Sequence, residues 1–566
     1  MSEDFTQLQL AQSLGAIVGK SYVLTGKARM QAYCKGFRFG SGDAVAVVRP
    51  GTLLEIWQLL KLCLKANVAV IMQAANTGLT GGSTPNGNDY DRPLVIISTM
   101  RINQIQLLDD AKQIIGLAGS TLFGLEDVLN TYGREPHSVI GSSCIGASII
   151  GGVCNNSGGA LVRRGPAFTE MSLFAKVDEK GCLSLVNNLG IDLGDSAEEI
   201  LSNLQNKNYT DDDVRFPGRR ASDNEYEARV RDVDAHTPSR FNSDSRRLYE
   251  ASGCAGKIAV FAVRLDTYPI ANRRQVYYIG ANDPNTFTKI RRDILSTFTH
   301  LPASGEYLHR DCYDVSKKYG KDMFYLIDKL GPSAIPRLFS LKRRVDRIAD
   351  AIPFLPNKFA DRLMQYASYL LPNHLPQRLE EFREKYLHHW ILETENEGIE
   401  ETRRYLKALF EDHEGEYFEC SKDESKKALL HRFVAGGAIS RSDLINSKKF
   451  GELMTIDVAL PRNEKAWFEQ LSPELDQLIE KKWYYGHLFC HVMHQNYIVK
   501  KGVDAKAVKN QILASFDARG AEYPAEHNVG HEYIAKEALA SFYKELDPTN
   551  SFNPGIGKTS KKKGWA

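Results

Sequence analysis

Two glycine-rich runs constrain this chain more than any other feature. The first is Gln73-Ala-Ala-Asn-Thr-Gly-Leu-Thr-Gly-Gly-Ser83, and the second, GSSCIGASIIGGVCNNSGG, runs from Gly141 to Gly159. Glycine takes positive φ without steric cost and carries no side chain, so such runs let backbone N–H groups approach an anion. One loop of this kind is often just a tight connection, but two in one chain suit a pyrophosphate. Spacing excludes two other nucleotide loops. A Walker loop needs glycine five positions before the glycine of Gly557-Lys558-Thr559, and that position is Phe552. A Rossmann fingerprint needs G-x-G-x-x-G between strand and helix, whereas Gly40-Ser41-Gly42 continues as Asp43-Ala44-Val45.

The segments around the loops read as mixed sheet and helix. Ala44 to Val48, Val68 to Met72, Leu94 to Ile97, Gln113 to Leu117 and Lys257 to Leu265 are rich in β-branched residues and read as strands, as does Met454 to Pro461. Thr52 and Glu55 form a capping-box pattern ahead of Leu53, Ile56, Trp57, Leu60 and Leu64 at helical spacing. Residues 204–249 are almost wholly polar and read as a surface excursion.

At 566 residues the length prior is several domain-sized units, and 43% hydrophobic residues can supply their cores. Lys plus Arg number 72 against 70 Asp plus Glu, so no global field recruits nucleic acid and no nucleic-acid partner is expected. The nine cysteines form no CxxC and read as reduced thiols. The N-terminal MSEDFTQLQL has acids where a secretory signal needs bases, and no run reaches the roughly 20 apolar residues that span a bilayer. Residues 332–378 differ in texture: six prolines, eight Lys or Arg and three Asp, with Phe339, Phe354, Phe359, Tyr366 and Tyr369 interleaved. That pattern suits an anionic lipid surface, with Phe339, Phe354 and Leu355 entering the acyl boundary; a solvated basic linker is the alternative. The Lys561 to Trp565 tail is the next candidate for membrane contact.

The loops, with Ala251-Ser-Gly-Cys-Ala-Gly256 and the strand that follows, resemble the PCMH-type FAD-binding domain of the vanillyl-alcohol oxidase superfamily. EPHSVIGSSCIGAS, ANTGLTGGSTPNGNDYDRP, YPAEHNVGH and DPTNSFNPGIGKTSK further resemble the quinone-dependent D-lactate dehydrogenase family, over nearly the whole chain. The resemblance implies an α+β protein: a PCMH-type two-subdomain FAD-binding fold with an α/β cap and an inserted basic membrane-binding segment. The flavin part would be residues 1–268, with its core at about 40–211, completed by 515–566. The cap would be 269–514, carrying the membrane-binding region at about 305–385. FAD contacts carried over are Ala74, Ala75, Asn76, Thr77, Gly78, Gly82, Ser83, Gly141, Ser148, Gly158 and Val260. No His or Cys lies in Gln73 to Ser83, so FAD is expected to be bound non-covalently.

The implied activity is oxidation of D-lactate to pyruvate by hydride transfer to FAD, with electrons passed to membrane quinone. The enzyme would be a peripheral protein on the cytoplasmic face of the bacterial inner membrane. Another D-2-hydroxy acid with a soluble acceptor stays open. Such chemistry needs a base and a carboxylate clamp. His527, beside Glu526, is the candidate base because an imidazole as a residue type suits proton transfer at the operating pH, and Arg432 matches the family's substrate-binding arginine. His487 and His494 are seven apart, two helical turns along one face or on opposite faces of a strand. Related D-2-hydroxyglutarate dehydrogenases use such a histidine pair with the glutamate, here Glu526, as ligands of a divalent metal; a metal-free role in binding substrate or structure is the alternative.

Overall fold

The computed structural model describes residues 6–566 except 139–145, 217, 332–334, 351, 353–354 and 357, and it leaves aside the side chains of 336, 337, 340, 343, 347 and 350. Gly141, Cys144, Pro332 and Phe354 therefore lie outside the described residues.

Three sheets organise the chain. Strands β1 (Val23–Leu24), β2 (Ala46–Val48), β3 (Ala69–Gln73) and β4 (Leu94–Ser98) form the first, in the order β1-β2-β4-β3, with β2, β4 and β3 parallel. The helix Leu53–Lys65 makes the crossover between β2 and β3 and buries Leu53, Ile56, Trp57 and Leu60. Thr52 Oγ1 accepts from Glu55 N at 3.1 Å, but Glu55 returns its carboxylate to Gly51 N at 2.6 Å, one residue before the position a capping box requires. The second sheet is antiparallel, in the order β5-β6-β10-β8-β9, from β5 (Ile105–Leu108), β6 (Gln113–Leu117), β8 (Ser172–Val177), β9 (Leu183–Asn187) and β10 (Ala259–Asp266). A short ribbon pairs β7 (Arg134–Glu135) with β11 (Tyr268–Pro269).

The third sheet is also antiparallel and has seven strands in the order β15-β12-β14-β13-β17-β18-β16. These are β12 (Arg274–Ala281), β13 (Ser304–His309), β14 (His388–Glu395), β15 (Glu416–Glu419), β16 (Leu453–Ala459), β17 (Ile479–His487) and β18 (Val492–Val499). The runs read as strands in the sequence lie within or beside β2, β3, β4, β6, β10 and β16. Apolar residues of β3, β4, β6 and β10 fill one core, which Leu546 and Phe552 close from the C-terminus. A second core lies on the seven-stranded sheet and takes in the helix Ala505–Ala518 through Val508, Ile512 and Phe516.

Residues 204–249 are not a surface excursion. Tyr226, Val230 and Val233 join the second core, and Asp223, Arg240, Asp244 and Arg247 are buried. Arg247 pairs with Asp223 at 2.5 Å. Composition misreads this stretch because its charges neutralise one another inside the protein rather than facing water.

The C-terminal tail is held by the protein as well. Lys561 pairs with Asp89, Lys563 Nζ reaches Asn67 Oδ1 at 2.7 Å, and Trp565 Nε1 donates to Asp547 O at 2.8 Å. Trp565 also covers buried Lys257, whose Nζ lies 4.3 Å from the ring centroid. These contacts hold Lys561, Lys563 and Trp565 against the protein and leave Lys562 exposed.

Candidate active site

A single cavity of about 1520 Å³ runs between the three sheets, and both glycine-rich loops open onto it. Ala74, Ala75, Asn76, Thr77, Gly78, Gly82 and Ser83 line it, together with Ser148 and Val260. The first loop is fixed from behind. Gln73 Nε2 donates to Tyr33 O at 2.9 Å and Ser83 O at 2.6 Å, and Asn76 Nδ2 donates to Lys35 O at 3.0 Å. Asn553 Nδ2 holds Gly82 O at 2.8 Å, which gives the C-terminal Asn-Pro-Gly motif its structural role. In the second loop Ser148 caps the helix Ile149–Cys154, accepting from Gly151 N at 3.1 Å.

Two glycines show that the first loop keeps space for a ligand. A Cβ on Gly78 would meet nothing within 4 Å, and one on Gly82 would meet only Asn528 at 3.5 Å. Neither has positive φ, so neither backbone geometry nor protein packing requires glycine there. Gly81 differs: its φ is +75° and a Cβ would lie 2.5 Å from Phe39 O. Gly158 does not line the cavity. Its missing side chain makes room for Glu526 Oε1 and Arg240 Nε, 2.9 and 3.0 Å from where a Cβ would stand.

At the inner end, four neighbouring strands of the third sheet bring acids and imidazoles into one row. Glu306 on β13 is the register partner of His487 on β17, and His494 on β18 is the partner of both Tyr485 on β17 and Asp457 on β16. His487 and His494 are thus neither stacked on a helix nor on opposite faces of one strand. The chain turns tightly through Leu488–Cys490, with His491 at φ +54°, and returns so that the two rings share a face. Their Nε2 atoms lie 3.5 Å apart.

Glu526 and His527 reach this row from the segment 524–531. Glu526 Oε2 is 3.3 Å from His487 Nε2 and 3.8 Å from His494 Nε2, while its Oε1 pairs with buried Arg240. Glu526 N donates to Asp457 Oδ2 at 2.8 Å. His527, with 35% of its side chain exposed, opens onto the cavity, its Nε2 3.9 Å from Asp457 Oδ2 and its ring stacked on His494 at 6.3 Å. The same segment ties down both loops: Thr80 Oγ1 donates to Asn528 O at 2.7 Å, and Asn528 Nδ2 donates to Asn155 Oδ1. Gly530 is required, since at φ +54° a Cβ would sit 2.1 Å from Thr80 O.

The row is electrostatically coupled. Burial pulls the His487 imidazole down, but Glu306 at 2.5 Å and Glu526 outweigh it and raise its pKa to about 10. His494 is lowered because burial wins over Asp457. Burial pushes Glu526, Glu306 and Asp457 up, yet neighbouring arginine and histidine groups win in each case. His487 and Arg240 hold Glu526 well below the ordinary range, Arg432 and His487 lower Glu306, and His527 and His494 lower Asp457.

Arg432 lines the cavity, but it is buried and its Nη2 pairs with Glu306 at 2.8 Å, with the guanidinium 4.4 Å over the Tyr485 ring. Glu306 thus holds the guanidinium of the arginine that the resemblance assigned to the substrate carboxylate, and its Nε is buried without a partner. Arg38 lines the same cavity, donates to Ser440 Oγ at 3.1 Å, and has no acidic partner among the described residues. Sequence reading missed Arg38, Arg240, Glu306 and Asp457.

The basic, aromatic segment forms two helices, Ile335–Asp350 and Phe359–Ser368. Leu341 and Ile348 are exposed seven residues apart on the first, and Leu363, Tyr366 and Leu370 form an exposed stripe at and just beyond the second, Leu370 at 88%. Phe339 does not point outward as expected. It lines the cavity and contacts Phe37, ring centroids 6.4 Å apart. Lys342 is paired with Asp361 at 2.6 Å, whereas Arg344 and Lys358 are exposed. No helix among the described residues is long and apolar enough to cross a membrane.

A parallel sheet beside an antiparallel one, two glycine loops facing a common cavity and a seven-stranded cap define a flavoprotein of the PCMH type. The solved structure of alkyldihydroxyacetonephosphate synthase shares this fold at TM-score 0.60 and 11% identity, covering 98% of this chain and 86% of that one. A family model described as FAD binding domain matches residues 44–177, and one described as D-lactate dehydrogenase, membrane binding, matches residues 276–565. The quinone-dependent D-lactate dehydrogenase of Escherichia coli (strain K12) is 55% identical over 552 residues, 98% of this chain and 97% of that protein. Its namesake from Haemophilus influenzae is 56% identical over 559 residues, 99% of each. The chain belongs to the quinone-dependent D-lactate dehydrogenase family.

Because a Cβ on Gly78 would meet nothing within 4 Å, Gly78→Val should leave the thermal unfolding of the flavin-free protein unchanged while bound FAD falls sharply. Absorbance per chain after desalting measures this, and full flavin content would remove the first loop from the cofactor site.

Proposed function

We propose that D-lactate is oxidised to pyruvate at the inner end of this cavity, with FAD held non-covalently across the two glycine loops and membrane quinone as the final acceptor. The observation that carries this reading is the convergence of the Glu306, His487, His494, Asp457 row with Glu526 and His527 on the cavity that the loops share. Bound FAD supplies an acceptor for the hydride on C2 of the substrate. His527 takes the hydroxyl proton: it is the most exposed imidazole of the group, and the Asp457 carboxylate 3.9 Å away stabilises the cation it becomes. Arg38, which lines the cavity without an acidic partner among the described residues, receives the substrate carboxylate, and Arg432, held by Glu306, adds positive charge to the cavity wall. Buried Glu306 and Asp457 hold the two histidines from behind through their Nδ1 atoms, at 2.5 and 3.4 Å.

That support leaves both Nε2 atoms turned toward Glu526, and the ligand atoms of His487, His494 and Glu526 lie within 4.8 Å of one another. A His2Glu set with carboxylates behind the imidazoles fits a divalent cation such as zinc, which would polarise the substrate hydroxyl and replace the proton on His487. The first core, confined to residues 10–265 with Leu546 and Phe552, supports a flavin-binding part of 1–268 with 515–566 and a cap of 269–514 that carries the membrane-binding region at about 305–385, with Tyr226, Val230, Val233 and Phe516 packing across into the cap core. The exposed stripes on Leu341, Ile348, Leu363, Tyr366 and Leu370, with Arg344 and Lys358 beside them, support attachment to anionic phospholipid at the cytoplasmic face of the bacterial inner membrane.

His527→Ala should slow anaerobic flavin reduction by D-lactate by about 100- to 10,000-fold with FAD content unchanged; a wild-type rate removes His527 as the base. Elemental analysis of protein purified without chelators should give about one divalent ion per chain, lost in Glu526→Gln. A metal-free preparation of full activity would assign the row to proton-sharing alone. Leu363→Asp with Leu370→Asp should abolish most co-sedimentation with anionic vesicles while D-lactate still bleaches the flavin, and undiminished binding would place the lipid contact elsewhere.

A further inference from the structure

The cavity does not end at the chemistry. Its volume of about 1520 Å³ exceeds the roughly 300–1,000 Å³ of an ordinary single-ligand site. Beyond the flavin loops it continues as an arm walled by apolar side chains from separate elements. Met323 and Ile327 come from the helix Lys321–Leu330, Ile335 and Phe339 from the helix Ile335–Asp350, and Leu429 and Phe433 from the helix Lys422–Phe433. Phe37, beyond the helix Lys27–Cys34, meets Phe339 across it.

The walls have a direction. Met323, Ile327 and Leu330 follow one another at helical spacing, the first two lining the cavity and the third 65% exposed. On the neighbouring helix Ile335, Phe339, Lys342 and Asp346 face the cavity, while Leu341 and Ile348 form a separate exposed stripe. An apolar track therefore runs from the flavin loops toward the surface that carries the exposed leucines. Charges along it are spent on one another. Lys342 pairs with Asp361 at 2.6 Å, and Arg441 pairs with Asp322 at 2.5 Å and Asp361 at 3.5 Å. That closed network fastens four helices around the arm.

D-lactate gains nothing from such a wall, because a small hydrophilic anion loses hydration there without finding a partner. A ligand with a planar redox ring and a long hydrocarbon tail matches both ends. We infer that this arm is the quinone site: an isoprenoid quinone enters from the lipid along Met323, Ile327 and Leu330, and its ring reaches the flavin from the side of Phe37 and Phe339. The inference rests on the function proposed above. There the quinone ring takes the two electrons left by D-lactate oxidation together with two protons, and leaves as the quinol while FAD returns to its oxidised form.

Met323→Trp and Ile327→Trp, made separately, fill the arm without touching the histidine row. Each should raise KM for a short-chain ubiquinone by about tenfold or more, while anaerobic flavin bleaching by D-lactate and turnover with a water-soluble dye stay at wild-type rates. Photolabelling of the unaltered holoenzyme with an azidoquinone covers the case in which a tryptophan variant fails to fold. Label should fall on peptides within residues 319–345 and be competed by ubiquinone. Unchanged quinone KM in a folded variant, or label mapping elsewhere, overturns the assignment. Competition by phospholipid alone would make the arm a lipid seat. Failure of D-lactate to bleach the unaltered enzyme would instead strike the function itself, and the quinone site with it.

Discussion

The buried carboxylate of Glu526 holds the active centre together. A carboxylate removed from water is costly unless cations and hydrogen bonds replace hydration, and losing one partner of such a pair typically costs about 3–5 kcal/mol. Here the partners come from distant parts of the chain. Arg240 arrives from the polar stretch 204–249, His487 and His494 from the β17–β18 hairpin, and Asp457 accepts from the Glu526 backbone. The requirement to neutralise one buried charge therefore fixes the stretch 204–249, the cap sheet and the segment 524–531 relative to one another. Asn528, two residues on, extends that order to both glycine loops.

From this centre the cavity changes character. Its inner end is ionic and tightly hydrogen-bonded, its middle is bare backbone and glycine, and its outer arm is hydrocarbon. On the function and acceptor route proposed above, that gradient would set a small anion at the ionic end, a dinucleotide along the loops and a lipophilic acceptor in the arm. The helices around the arm also present exposed leucines and tyrosines outward, so on the same proposal the elements facing lipid would bound the acceptor's route.

Local pattern made much of the fold readable. The strands around the loops, the helix opening at Thr52 and the two glycine runs are written in short-range periodicity and backbone permissiveness, which need no knowledge of distant partners. The site was readable only in part. Glu526, His527, His487 and His494 stood out as chemistry-bearing residue types in unusual company, but their supports did not. Glu306 and Arg240 sit 181 and 286 residues from the groups they hold, and nothing local marks either as buried.

The sequence alone determined the loop chemistry, the amphipathic segment and, through long unusual motifs, the family. Tertiary structure decided how the charges were spent. It turned a seven-residue histidine spacing into neighbouring rings by folding a hairpin between them, paired Arg432 with Glu306, and turned Phe339 inward to the cavity. It also packed a polar stretch against the core and bonded the C-terminal lysines to the flavin-binding part. The reason is physical. Residue type and spacing fix what a backbone can do within a few residues, whereas the state of a charged or aromatic side chain depends on which partner from elsewhere in the chain removes it from water.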